Sequence, residues 1–203
     1  MGEHVFTETA QIADTIPPFK LIKQVKTTSG VSKFVDMDND VLFTGKRVII
    51  FGLPGAFTPT CSSKQLPGFE TQYHLFRNLG IDDIYCISVN DTFVMNEWAK
   101  DQGLVNVKLI PDGSAQLTIK LGMDVRKDNL QFGVRSWRYA AIYDDGKLVQ
   151  SFIEEGFGDN FEEDPYVVST PENVMKWIRE NPFEGKDIKL DISDSTDIKE
   201  DIS

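Results

Sequence analysis

Short apolar runs alternate with amphipathic stretches along most of this chain. The runs at residues 48–51 and 84–89 are apolar at nearly every position, which predicts strands that are buried on both faces. In the stretches that follow them, apolar residues recur every three or four positions, as in helices that cover a sheet. This order of strands and helices predicts an α/β fold with these strands parallel or mixed.

Turn and cap residues divide the rest of the chain into further predicted elements. They are a hairpin at residues 19–35, a helix from Cys61 to near Gly80, a helix capped by Asn90-Asp91-Thr92, a strand at 105–110, a short helix before Gly122, a hairpin at 136–153, and a helix that begins at Pro171. Residues 1–16 lack a convincing period and are interpreted as an extended arm or a loop. The Leu66-Pro67-Gly68 step is expected to kink or interrupt its helix.

The composition limits the class of protein to which this chain can belong. With 203 residues, 40% of them hydrophobic, the chain is long enough for one domain, which we place at residues 1–180, followed by an acidic tail at 181–203. The tail is interpreted as mobile, although alternating apolar residues also fit an added edge strand. Residues 154–165 carry six acidic residues and no basic one, which indicates a solvated loop.

The charge and the apolar runs argue against two classes of partner. No run approaches 18 apolar residues, and the N-terminus lacks a basic region followed by an apolar one, so no membrane segment is expected. A net charge of −11 argues against nucleic-acid binding, which requires clustered Lys and Arg. Solubility is a sufficient explanation for this charge.

Cysteine and histidine are scarce. The two cysteines, Cys61 and Cys86, are too few for a disulfide framework, and with only His4 and His74 a Cys/His metal site is not expected. Low cysteine usage suits a reducing compartment, so we expect a cytoplasmic protein. His74 is assigned to the solvated face of a helix, and Cys86, in the middle of a predicted strand, to a packed, unreactive thiol.

The stretch after the first buried strand carries Cys61 to a helix N-terminus. Gly52 and Pro54 stop the strand, and Thr58 and Pro59 are typical of an N-cap and a first helical position. Free N–H groups and the helix dipole in the first turn favour an anion, so the Cys61 thiolate should be stabilised. An inert, packed cysteine is the alternative, and the polar, Pro-rich surroundings favour the reactive interpretation.

The segment PGAFTPTC at residues 54–61 resembles the active-site loop of the peroxiredoxins, whose pattern is Pro, three residues, Thr or Ser, two residues, Cys. The longer segments GLPGAFTPTCSSKQLPGF, YCISVNDTFVMNEWAK and RSWRYAAIYDDGK extend the resemblance over about residues 17–180, to the type II or five-like subfamily. The resemblance implies a thioredoxin-like sandwich with an N-terminal β-hairpin extension. It also implies a homodimeric thiol peroxidase without metal, haem or flavin.

The resemblance further implies roles for four residues. Cys61 attacks hydrogen peroxide or a small alkyl hydroperoxide and becomes a sulfenic acid. Arg138 favours the thiolate and holds the peroxide oxygens. The Thr58 hydroxyl accepts from the peroxide while donating towards the sulfur, and Pro54 shields the sulfur from water.

Sequence pattern alone leaves alternatives to these assignments. Arg138 also fits a surface position at the start of a strand, Arg126 and Arg135 could compete for its role, and Thr58 needs no catalytic role as a cap. A thioredoxin-fold disulfide reductase is disfavoured because CxxC is absent. A non-enzymatic redox sensor or partner-binding module, with the acidic tail as its contact, remains the alternative function.

The resemblance also bears on how the sulfenic acid is reduced. Residues 162–173, where some members of the subfamily have a second cysteine, contain none, which excludes that internal disulfide. Plant-like members have theirs in the strand that contains Cys86. If Cys86 is buried, an external thiol is expected, with glutathione and glutaredoxin first and thioredoxin second. Gln65 stands where many relatives have histidine, which leaves the detail of the pocket open.

Overall fold

The computed structural model describes residues 10–27 and 29–184. Its elements, in chain order, are β1 (Lys20–Lys26), β2 (Ser32–Asp38), α1 (Asn39–Leu42), β3 (Arg47–Gly52), α2 (Leu66–Thr71), α3 (Tyr73–Asn78), β4 (Asp83–Ser88), α4 (Thr92–Asp101), β5 (Lys108–Pro111), α5 (Gln116–Lys120), β6 (Asp124–Arg126), β7 (Val134–Ser136), β8 (Tyr139–Asp144), β9 (Lys147–Ile153) and α6 (Pro171–Glu180). A π-helical turn, Cys61–Gln65, leads directly into α2, and a 3₁₀ turn, Asp128–Leu130, lies between β6 and β7.

A five-stranded mixed sheet forms the centre, with strand order β5-β4-β3-β8-β9. Strands β3, β4 and β5 run parallel, whereas β8 and β9 are antiparallel to their neighbours. The hairpin β1–β2 and the pair β6–β7 form separate two-stranded sheets. The predicted α/β thioredoxin-like sandwich with an N-terminal hairpin is therefore confirmed.

The central strand β3 divides the core into two apolar layers because successive side chains point to opposite faces. Ile49 and Phe51 belong to the layer covered by α2, α3, α4 and α6, and Val48 and Ile50 belong to the opposite layer. All six residues of β3 are buried, and so are all six of β4, as their continuous apolar runs predict. The second layer includes Ile12 and other residues of the segment before β1, which packs against the domain.

Two predicted strands have different bounds in the structure. The strand expected at residues 105–110 begins only at Lys108, because the backbone N–H groups of Val105, Asn106 and Val107 donate to the Glu70 carboxylate instead of to a strand. The strand expected at 136–143 is divided into β7 and β8, with Trp137 and Arg138 between them. Arg138 therefore precedes the hairpin strand that it was expected to open.

The predicted tail falls mostly on residues 185–203, which lie outside the described residues, as do Ile188, Leu190 and Ile192. Of its first residues, Phe183 contacts the folded domain: its ring centroid lies 4.0 Å from Cζ of the buried Arg47. The division at residue 180 stays a prediction.

Candidate active site

The sheet register brings two distant segments to one edge. Gly52, the last residue of β3, pairs with Tyr139, the first residue of β8. Because the strands are antiparallel, the segment that enters β8 and the loop that leaves β3 lie at the same end of the sheet. A Cβ atom on Gly52 would lie 2.2 Å from the Tyr139 ring, so only glycine fits at this crossing. The register therefore places Arg138 beside the loop that leads to Cys61.

The loop after β3 is held by the end of the neighbouring strand. Asn90 follows β4, and its Oδ1 accepts hydrogen bonds from the Ala56 N–H at 3.0 Å and the Ser88 hydroxyl at 2.7 Å. Phe57 has a φ of 62°, in the left-handed region that non-glycine residues adopt at a cost of about 1 kcal/mol. A helical segment begins at residue 59, as Thr58 and Pro59 predict.

Cys61 and Arg138 contact each other in a buried pocket. Nη1 of Arg138 lies 3.5 Å from Cys61 Sγ, and the same nitrogen donates to Oε1 of Gln65 at 2.6 Å. Cys61 and Gln65 are four residues apart on one helical segment, so they share a face. Both side chains are completely buried, and Arg138 is 1% exposed. Of the three candidate arginines, Arg138 is the one that touches the sulfur.

A carboxylate completes the surroundings of Arg138. Nη2 forms an ion pair with Asp164, whose side chain is half-exposed. Burial disfavours the charged guanidinium, but the nearby Cys61 sulfur and the Asp164 carboxylate outweigh burial and raise the pKa of Arg138 above its ordinary value. Arg138 therefore remains a cation at any physiological pH.

Pro54 and Thr58 line a cleft of about 360 Å³ next to the pocket, together with Pro59, Thr60, Lys127, Leu130, Phe132, Glu162, Glu163 and Asp164. The Thr58 hydroxyl donates to the Gly55 carbonyl at 2.8 Å, which corrects the expectation that it donates towards Cys61. Its lone pairs remain able to accept. Cys61 itself is completely buried and does not line the cleft.

Cys86 lies in the middle of β4 and is completely buried, as predicted. Burial raises the pKa of its thiol well above the ordinary value. At neutral pH it is therefore protonated, which makes it a poor nucleophile.

Known proteins resemble this chain in sequence and in fold. A family model described as Redoxin matches residues 11–191. A peroxiredoxin from Rhizobium etli is 60% identical over 151 residues, which cover 74% of this chain and 84% of that protein. This chain belongs to the peroxiredoxins. Members of this family are thiol peroxidases, which are antioxidant enzymes that reduce peroxides with electrons from thiols.

Solved structures of other peroxiredoxins resemble this peroxiredoxin over most of its length. The Plasmodium falciparum antioxidant protein, a 1-Cys peroxiredoxin, superposes with a TM-score of 0.78 at 36% identity, covering 83% of this chain and 99% of that one. The reduced Prx3 of Vibrio vulnificus, solved in complex with H₂O₂, superposes with a TM-score of 0.72 at 33% identity, covering 84% and 99%.

The described part of this peroxiredoxin has neither a candidate membrane span nor a candidate metal site. None of its described helices is both long and apolar enough to span a bilayer. Within residues 10–27 and 29–184, no three His, Cys, Asp or Glu side chains are grouped so that they could hold a metal ion.

The acidic segment at residues 154–165 is only partly a solvated loop, which corrects the sequence interpretation. Glu154 is 3% exposed, and its Oε1 accepts hydrogen bonds from the backbone N–H groups of Val167, Val168 and Ser169 and from the Ser169 hydroxyl. Asp164 pairs with Arg138. A count of acidic residues does not reveal such partners, because they come from distant parts of the chain. His74, by contrast, is exposed as predicted.

Replacement of Glu154 by leucine is expected to lower the free energy of unfolding by about 3 kcal/mol or more, because several buried donors lose their acceptor. Glu154→Gln keeps one carbonyl oxygen at the same place and should lose only about 1 kcal/mol. Urea unfolding measures both values, with the exposed Glu155→Leu as the matched control. Equal losses in Glu154→Leu and Glu155→Leu would contradict this role for Glu154.

Proposed function

We propose that Cys61 is the sulfur of this peroxiredoxin that reacts with peroxide, and that Arg138 is the cation that stabilises its thiolate. The supporting observation is the 3.5 Å contact between Nη1 and Sγ, in a pocket closed to solvent. A guanidinium cannot lose its proton under physiological conditions, and its charge acts more strongly where water is excluded. Such a cation is suited to stabilise the negative charge that the sulfur and the peroxide oxygens carry during the reaction.

The reaction is a nucleophilic substitution at oxygen. The Cys61 thiolate attacks one peroxide oxygen, the Sγ–O bond forms, and the O–O bond breaks. Sulfur loses two electrons and becomes a sulfenic acid. The departing oxygen takes up a proton, equivalent to the one that the thiol lost on ionisation, and leaves as water or an alcohol. Negative charge grows on the departing oxygen, and the N–H donors of Arg138 are suited to stabilise it.

Thr58 and Pro54 have supporting roles in this proposal. The Thr58 hydroxyl hydrogen is engaged by the Gly55 carbonyl, so the oxygen is left to act as an acceptor for the O–H of a peroxide. Pro54 forms part of the cleft wall and limits the access of water. Exclusion of water strengthens the electrostatic contacts of the transition state.

The cleft favours small, uncharged hydroperoxides. Leu130 and Phe132 provide apolar contacts for an alkyl group. Glu162, Glu163 and Asp164 give the cleft an acidic rim, which repels anionic substrates. Hydrogen peroxide and small alkyl hydroperoxides fit both properties, and the Vibrio vulnificus relative was solved with H₂O₂.

An external thiol is the proposed reductant, because the buried, protonated Cys86 is a poor partner for the sulfenic acid. We expect glutathione with glutaredoxin to be the preferred reductant and thioredoxin to be the second choice. The proposal also includes a cytoplasmic homodimer that needs no metal or organic cofactor. It rests on the subfamily resemblance and on two free cysteines, which suit a reducing compartment.

Peroxide-dependent NADPH oxidation tests this function. With hydrogen peroxide, the glutathione/glutaredoxin system should support faster turnover than the thioredoxin system, and Cys86→Ala should keep turnover with the preferred system. Loss of turnover in Cys86→Ala with every reductant would overturn the external-thiol scheme. Peroxide reaction at the rate of an ordinary free thiol, together with a stable tail-dependent protein complex, would favour the redox-sensor alternative.

A further inference from the structure

Gln65 is a completely buried amide next to the sulfur–guanidinium pair. Its Oε1 lies 2.6 Å from Nη1 of Arg138, the same nitrogen that contacts Cys61 Sγ. The amide therefore holds the arginine nitrogen that touches the sulfur. A buried polar side chain at such a place requires an explanation of each of its polar atoms.

The contact with Arg138 also fixes which way the amide faces. A guanidinium only donates hydrogen bonds, so the amide oxygen is the atom that meets Nη1, and the Nε2 group must find a different acceptor. Nε2 is buried and has no hydrogen-bond acceptor among the described residues. An unmet buried donor is unfavourable, and native proteins have few of them.

Oxidation of Cys61 creates an acceptor that the reduced protein lacks. In the reaction proposed above, the sulfur gains one oxygen atom from the peroxide, and this oxygen has lone pairs. We propose that Gln65 positions Arg138 through Oε1 and that its Nε2 donates to the oxygen left on Cys61. This inference rests on the proposed function, since it requires that Cys61 is the sulfur that is oxidised.

The proposed hydrogen bond has a consequence for regulation. A sulfenic acid either reacts with a reducing thiol or is oxidised further by a second peroxide to the sulfinic acid, which thiols do not reduce. A donor that stabilises the sulfenic acid extends the time during which an external thiol can capture it. Gln65 would thus set the balance between turnover and inactivation.

The lifetime of the sulfenic acid tests this inference directly. The reduced full-length protein is treated with one equivalent of hydrogen peroxide, dimedone is added after increasing delays, and the adduct at Cys61 is quantified by mass spectrometry. Gln65→Met has a similar shape without either polar atom. We expect its sulfenic acid to decay about three- to tenfold faster than that of the wild type, the effect of one ordinary hydrogen bond.

A matched control separates the donor from the positioning of Arg138. Asp164→Asn weakens the ion pair between Asp164 and Arg138 but leaves Nε2 of Gln65 in place. This variant should therefore oxidise Cys61 more slowly than the wild type, while its sulfenic acid should have the same lifetime. Equal lifetimes in wild type and Gln65→Met would overturn the inference, and so would equal shortening in Gln65→Met and Asp164→Asn. Thermal unfolding shows whether each variant is folded. If Gln65→Met does not fold, Gln65→Leu takes its place in the experiment.

Failure of the inference and failure of the proposed function give different results. If peroxide produces no dimedone adduct at Cys61 in the wild type, Cys61 is not the reactive sulfur and the proposed function fails. If the wild type forms the adduct and the Gln65 variants retain its lifetime, only the role of Gln65 fails.

Discussion

Replacement of Cys61 by serine is expected to abolish peroxide reduction. A serine hydroxyl is not ionised at neutral pH, and Arg138, the side chain that contacts the sulfur at position 61, cannot accept a proton from it. Peroxide-dependent NADPH oxidation should therefore fall to the rate without enzyme. Stoichiometric peroxide consumption by the reduced protein, without any reductant, should disappear as well.

The matched control for this result is Cys86→Ala. Both cysteines are completely buried, so burial alone does not distinguish them, and the guanidinium next to Cys61 is the proposed difference. Cys86→Ala should still consume one equivalent of peroxide per chain. The assignment of the reactive sulfur would be wrong if Cys61→Ser kept this consumption and Cys86→Ala lost it.

The elements of this fold could be predicted from the sequence because each has a local signal. The apolar runs of β3 and β4 predict burial on both faces, and Asp91 and Thr170 cap α4 and α6 with their side chains as predicted. These signals act over a few residues. They are independent of the tertiary contacts that form later, so pattern alone identifies them.

The contacts of the candidate site could not be predicted from such local signals. Cys61 and Arg138 are 77 positions apart, and they meet because of the β3–β8 register, which periodicity does not specify. Sequence pattern could not choose Arg138 over Arg126 or Arg135, and the family resemblance made that choice. Arg126 is exposed and pairs with Asp128.

Asp164 and Gln65 were missed as partners of Arg138 for the same physical reason. An acidic loop residue and a polar helix residue are both typical of solvent-facing positions, and only the assembled pocket gives each of them a buried guanidinium. The π-helical turn Cys61–Gln65 was also not predicted in form, although an irregularity was expected near Pro67. Pro67 has no N–H to donate, and Leu66 donates to Cys61 five residues back.

Replacement of Arg138 by lysine is expected to slow the oxidation of Cys61 by about 100-fold to 1,000-fold, the usual cost of losing a preorganised donor at a transition-state oxygen. Lysine keeps the positive charge, but one ammonium cannot reproduce the planar fork that meets Cys61 Sγ, Gln65 Oε1 and Asp164 with two nitrogens. Stopped-flow measurement of the second-order rate constant with hydrogen peroxide gives this ratio.

The matched substitution is Arg126→Lys, at an exposed position of β6, which should change the rate constant by less than about twofold because surface ion pairs contribute little. The comparison isolates geometry from charge, since both variants keep the net charge of −11. If Arg138→Lys were as fast as Arg126→Lys, a point charge near the sulfur would be sufficient for the reaction. The directed N–H donors of Arg138 would then have no part in breaking the O–O bond, and the mechanism proposed here would have to be replaced by one that relies on the thiolate alone.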